Sequence, residues 1–156
     1  MAKAMDVVRL FLSWANRDGD LITNLKMQKM LYYAEAWHLV NFSGRSLFPE
    51  PIEAWEFGPV VPPVWQRLKQ FGSMPIKYRN QGGQEEQEFS SRQLRYLQEF
   101  YRVFMPYTAH ALVNMSHNEA PWIDAHERGV GISRDVMRAF YSETLRQQQR
   151  HKHAHA

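Results

Sequence analysis

The sequence predicts an α+β fold: a mainly helical single domain of about six helices carrying a small antiparallel β-sheet or hairpin. Three observations predict it. Apolar residues recur at helical spacing in several separate segments, each opened by a capping residue or closed by glycine or proline. Two stretches instead read as strands, by alternation or by strand-forming residues around a turn. No internal repeat and no linker divides the 156 residues, a length that one domain accommodates and that buries enough surface to fold without covalent staples.

Met5, Val8, Phe11, Leu12 and Ala15 keep helical spacing and predict a first helix that stops in the polar turn around Gly19. Thr23 or Asn24 is a good N-cap for a longer second helix. Its apolar stripe is Met27, Met30, Leu31, Ala34, Trp37 and His38, with Lys26, Lys29 and Glu35 off the stripe and an end near Gly44. After Pro51 the period changes, and residues 52–57 alternate as a strand closed by Gly58 and Pro59. A third helix falls within residues 60–71, where Pro62 and Pro63 fit in the first turn. Residues 76–79 and 85–89, around Gly82 and Gly83, are expected to form a hairpin. Ser90 and Gln93 make a capping box for a helix reaching Pro106, apolar on most of its circumference and so expected at the centre. Thr108 caps a short helix through Met115, residues 116–122 form an irregular joint, and Ser133 caps a last helix with Val136, Phe140 and Met137 as its inward candidates. Residues 1–147 are expected to form the domain. The segment 148–156 reads as a disordered His-rich tail.

Composition excludes several classes of function. The chain has no cysteine, which removes disulfides, zinc fingers, iron–sulfur ligation and thiol nucleophiles and suits a reducing compartment. Residues 7–12 resemble a signal sequence, but Arg9 interrupts the run and no small-residue cleavage site follows. No stretch approaches the ~20 apolar residues of a membrane span, so the expected location is cytoplasmic with no membrane partner. The net charge is +3 from 19 Lys+Arg and 16 Asp+Glu. From Glu143 onward three basic residues face one acidic, which leaves 16 against 15 in the rest. Nucleic-acid affinity needs clustered charge that neutralises several phosphates, and nucleic acid is not the expected partner.

Three segments carry a family resemblance: TNLKMQKMLYYAEAWH (residues 23–38), EPIEAWEFGPVVPPVW (residues 50–65) and SHNEAPW (residues 116–122). Together, in this order, they resemble the signature of the Panacea domain of SocA-like and phage-associated antitoxins. Met27 and Met30 stand where the family more often has Leu, and the segment after Gln147 has no counterpart. The resemblance implies an antitoxin that neutralises the protein toxin of a neighbouring gene by direct contact. The family is known for pairing with many unrelated toxins, including translation-blocking nucleotide or pyrophosphate transferases. It implies as alternatives an adaptor that hands the toxin to an ATP-dependent protease, or a DNA-binding autorepressor, although no helix-turn-helix spacing is present.

The residues expected to bind the partner are Lys29, Tyr33, Glu56, Phe57, Gly58, Pro59, His117, Pro121 and Trp122. The stretch from Phe57 to Pro62 is apolar, rigid and poor in donors, as a preorganised docking loop would be, although glycine and proline there also have a purely conformational explanation. Alternation places Glu56 and Phe57 on opposite sides of the strand and leaves open which faces the partner. Trp37 reads as core; Trp55 and Trp122 are open between core and surface. His117 with Glu119 suggests an acid–base pair, but no nucleophile or oxyanion device accompanies it, and a histidine at such a joint more often fixes a turn. No catalytic residue, cofactor or metal is expected. His110 and His117 are seven apart and share a face only if the helix continues between them, and His151, His153 and His155 belong to the tail.

Overall fold

The computed structural model describes residues 1–154; His155 lies outside them. Helix α1 (Ala4–Asp18) ends at Gly19, and Thr23 caps α2 (Asn24–Asn41) by accepting the Lys26 N–H at 3.3 Å. Strands β1 (Ile52–Trp55) and β2 (Gly58–Val60) follow, then α3 (Pro62–Leu68), whose two prolines occupy the first turn, where their missing amides are not needed. The predicted box of Ser90 and Gln93 opens α4 (Ser91–Phe104), and Thr108 caps α5 (Ala109–His117). Helix α6 (Ala120–Arg128), β3 (Gly131–Ile132) and α7 (Arg134–Ala154) complete the chain. The described residues thus form seven helices and one antiparallel sheet of order β2-β1-β3.

Helix α2, not α4, is the centre. It packs against α1, α3, α4, α5, α7 and β2, and is buried on every side. Lys29 and Glu35, expected on its polar side, are fully buried. Each is satisfied by backbone, as buried polar groups must be. Glu35 accepts the Leu47 and Phe48 amides and pairs with Arg134 at 3.2 Å. Gln28 accepts the Val61 amide at 2.9 Å, and His38 Nδ1 donates to the Arg45 carbonyl at 2.7 Å. Helix α4 buries a narrower face, Leu97, Phe100 and Tyr101, against Phe11 and Trp14, and leaves Val103 42% exposed.

Four further expectations are corrected. The hairpin at residues 76–89 does not form. The second arm is too acidic and too poor in strand formers to pair, and Glu85 instead accepts from the Tyr78 hydroxyl and the Gln81 amide, both at 2.7 Å, winding Gln84–Glu86 into a short 3-10 turn. The sheet's third strand is β3, which pairs Ile132 with Ile52. The irregular joint within residues 116–122 shrinks to Asn118 and Glu119: α5 runs on to His117 and α6 begins at Ala120, since Pro121 suits a helix's first turn. In α7 the buried residues are Met137, one of the three expected, and Tyr141, while Val136 is 46% exposed and Phe140 only half-buried. Helix α7 also runs unbroken past Gln147, carrying ion pairs from Glu143 to Arg146 and Arg150 on good helix formers.

Candidate interaction site

Strands β1 and β2 join through a two-residue turn, Glu56 and Phe57, with Trp55 opposite Gly58. Gly58 takes φ 104° while Glu56 and Phe57 keep negative φ, and the one-to-one pairing of β1 with β2 runs unbroken up to the turn. A second constraint also fixes glycine there: a Cβ would sit 2.9 Å from Lys29 Cε and 3.0 Å from Ser116 Oγ. The turn forces Phe57 out, where it is 64% exposed. Glu56 is exposed as well, so the turn presents both side chains and the expected division between two faces does not apply.

Three carbonyls of this hairpin are held by side chains from the rest of the chain. Lys29 Nζ donates to the Pro59 carbonyl at 2.9 Å from the core side. His117 Nε2 donates to the Glu56 carbonyl at 2.8 Å, and Trp122 Nε1 to the Trp55 carbonyl at 2.8 Å. The His117 and Trp122 rings lie 4.2 Å apart, and Trp122 stacks on His126 at 4.5 Å. Trp55 packs edge-on against Trp65 and donates to Glu53. The first and third sequence motifs therefore converge on the second. Burial, uncompensated by any carboxylate, pushes the Lys29 amine down to about 7.

Behind the hairpin a hydroxyl chain ends on Glu119. The Tyr33 and Tyr141 hydroxyls donate to its Oε1 at 2.6 and 2.8 Å, and the Tyr32 hydroxyl lies 2.9 Å from that of Tyr141. Burial raises the Glu119 carboxyl above its usual range despite the two donors, and raises the phenols of Tyr33 and Tyr141 further still. Glu119 and these tyrosines line a groove of about 810 Å³ whose walls come from α2, α4, α5 and α7.

Of the nine residues expected to bind a partner, Glu56 and Phe57 are exposed, and His117 and Trp122 are half-buried. Lys29, Tyr33, Gly58, Pro59 and Pro121 are buried beneath or beside them. Sequence reasoning missed Ser116, packed against Gly58, and Tyr141, whose four-residue spacing from Met137 was available to find it. It also missed the groove. The described residues hold no cluster of three or more His, Asp or Glu side chains able to bind a metal, and no helix long and apolar enough to cross a membrane.

The antitoxin SocA-like, Panacea domain family matches residues 27–123, the span that holds the hairpin, all three donors and Glu119. The chain belongs to this family. It is also 49% identical over 63 residues to Antitoxin SocA of Caulobacter vibrioides (strain NA1000 / CB15N), a stretch covering 40% of this chain and 33% of that protein. The match thus spans about a third of that relative's length. No solved structure matches this Panacea domain. Helix α7, which supplies Tyr141 to the groove, lies beyond the part that matches the family.

Proposed function

We propose that this Panacea domain neutralises a protein toxin encoded by a neighbouring gene by binding it directly in the cytoplasm, without a catalytic step. One observation carries the docking surface: an aromatic side chain, Phe57, stands exposed on a turn whose flanking carbonyls are held by Lys29, His117 and Trp122. A large apolar side chain on a rigid support is what an interface anchor requires, because little conformational freedom is lost on docking. In this reading Glu56, Phe57, His117 and Trp122 meet the toxin, and Lys29, Tyr33, Gly58, Pro59 and Pro121 hold them in place.

Co-expression with each adjacent open reading frame, scored by growth and by co-purification, tests the function. Failure of both with every neighbour would remove it. Phe57→Ala tests the surface: stability should change by less than about 0.5 kcal/mol, while the complex should weaken by about 2 kcal/mol, mainly through faster dissociation. Toxin half-life with and without the domain separates simple occlusion from delivery to a protease. Salt-dependent gel shifts on the upstream DNA test autorepression.

A further inference from the structure

We propose that the groove between α4 and α7 receives an amphipathic segment of the partner protein and seats one of its basic side chains, arginine above all, against Glu119. This rests on the reading that the domain binds a protein partner, and adds a second surface, which Glu119 lines and His117 does not. The chemistry is specific. Glu119 Oε1 is occupied by two tyrosine hydroxyls, whereas Oε2 has no donor among the described residues and is not sealed from solvent. A carboxylate largely removed from water with half of its acceptor capacity unused is stabilised by a cation, which also lowers the raised carboxyl back toward its ordinary range.

The surroundings favour a guanidinium on an apolar stem. Phe104 stacks on Tyr33 at 5.3 Å and on Phe100 at 4.5 Å, Tyr107 lies beyond it, and Trp37 packs against Tyr141 on the other side. Aromatic faces attract cations, and a planar guanidinium both stacks on them and forks onto a carboxylate. The opposite end of the groove has the reverse sign. There Arg92 lies over Phe42 at 4.4 Å and holds the Asn41 carbonyl, with Arg95 exposed one turn further on.

Length selects a protein segment. From Arg92 to Phe104 helix α4 rises about 18 Å, enough for about 12 residues of a docked helix and several times a side chain's reach. The occupant therefore carries an apolar stripe, an arginine at the Glu119 end and acidic residues at the Arg92 end.

The probe is a pair of fluorescein-labelled amphipathic peptides of about 12 residues, leucine-rich with acidic residues in one half, and identical except for one arginine replaced by citrulline, its neutral isostere. Anisotropy titrations against the full chain should show the arginine peptide binding at least about tenfold more tightly. Glu119→Gln keeps an acceptor for both tyrosines and should abolish that preference while leaving the melting temperature near wild type. Val103→Arg, on the exposed wall, should weaken the arginine peptide without unfolding the domain. Equal binding of the two peptides, no binding of either, or a preference that survives Glu119→Gln would overturn the cation site. A toxin that binds wild type, E119Q and V103R alike would overturn its assignment to the partner. Absence of any toxin complex with wild type would instead refute the antitoxin reading and leave the peptide result to stand by itself.

Discussion

Lys29 offers the most quantitative test of how the hairpin is held. It is fully buried, its Nζ reaches one acceptor, and desolvation takes its pKa from 10.5 to about 7. The unfolded chain therefore binds more protons than the folded one between pH 7 and 10.5, so stability must rise with pH across that window. Below about pH 7 both states are protonated and the full cost of burying the charge applies, about 5 kcal/mol for a shift of this size. Moving from pH 7 to 9.5 relieves about 3 kcal/mol of it. Lys29→Met removes the ion at similar volume but leaves the Pro59 carbonyl without its donor, which costs about 1–3 kcal/mol. The variant should thus equal or exceed wild type at pH 7 and lose ground by about 3 kcal/mol relative to it by pH 9.5. The buried tyrosines, whose raised pKa values act in the opposite sense above pH 10, stay outside this range. Guanidinium denaturation of both proteins at the two pH values measures the difference. A gap constant to within about 1 kcal/mol would refute the reasoning, because Lys29 would then keep its proton in the fold or reach water.

Three further outcomes follow from the same contacts. Gly58→Ala should destabilise by about 2 kcal/mol or more, from positive φ and a Cβ 2.9 Å from Lys29 Cε, and the loss should show in the melting temperature. Trp122→Phe keeps an aromatic ring but frees the Trp55 carbonyl, so thermal stability should fall by about 1 kcal/mol while toxin affinity falls further as the turn loosens. Deleting residues from Arg150 onward removes, among the described residues, only the exposed end of α7 (150–154), and should leave stability within about 0.5 kcal/mol. A drop of several degrees on that deletion would show that the end of α7 docks.

By itself the sequence determined the local structure and the family. Thr23, Ser90 with Gln93, Thr108 and Ser133 mark helix starts because a side-chain oxygen three residues ahead of an orphan amide acts within one turn of chain. The order of three motifs identified the Panacea domain, and their residues included every donor that grips the hairpin. What the sequence could not supply was phase and partners at long range. Lys29 and Glu35 looked like the solvated side of α2 because charge normally implies water. Their burial depends on carbonyls and amides at residues 59, 47 and 48, whose approach no helical period records. Tertiary structure alone decided that α2 rather than α4 is central and that Gly131–Ile132, not the Glu-rich segment, completes the sheet. It also decided that Phe57 points outward: Glu56 and Phe57 form the turn itself, so the alternation of strand side chains ends at Trp55 and places neither of them.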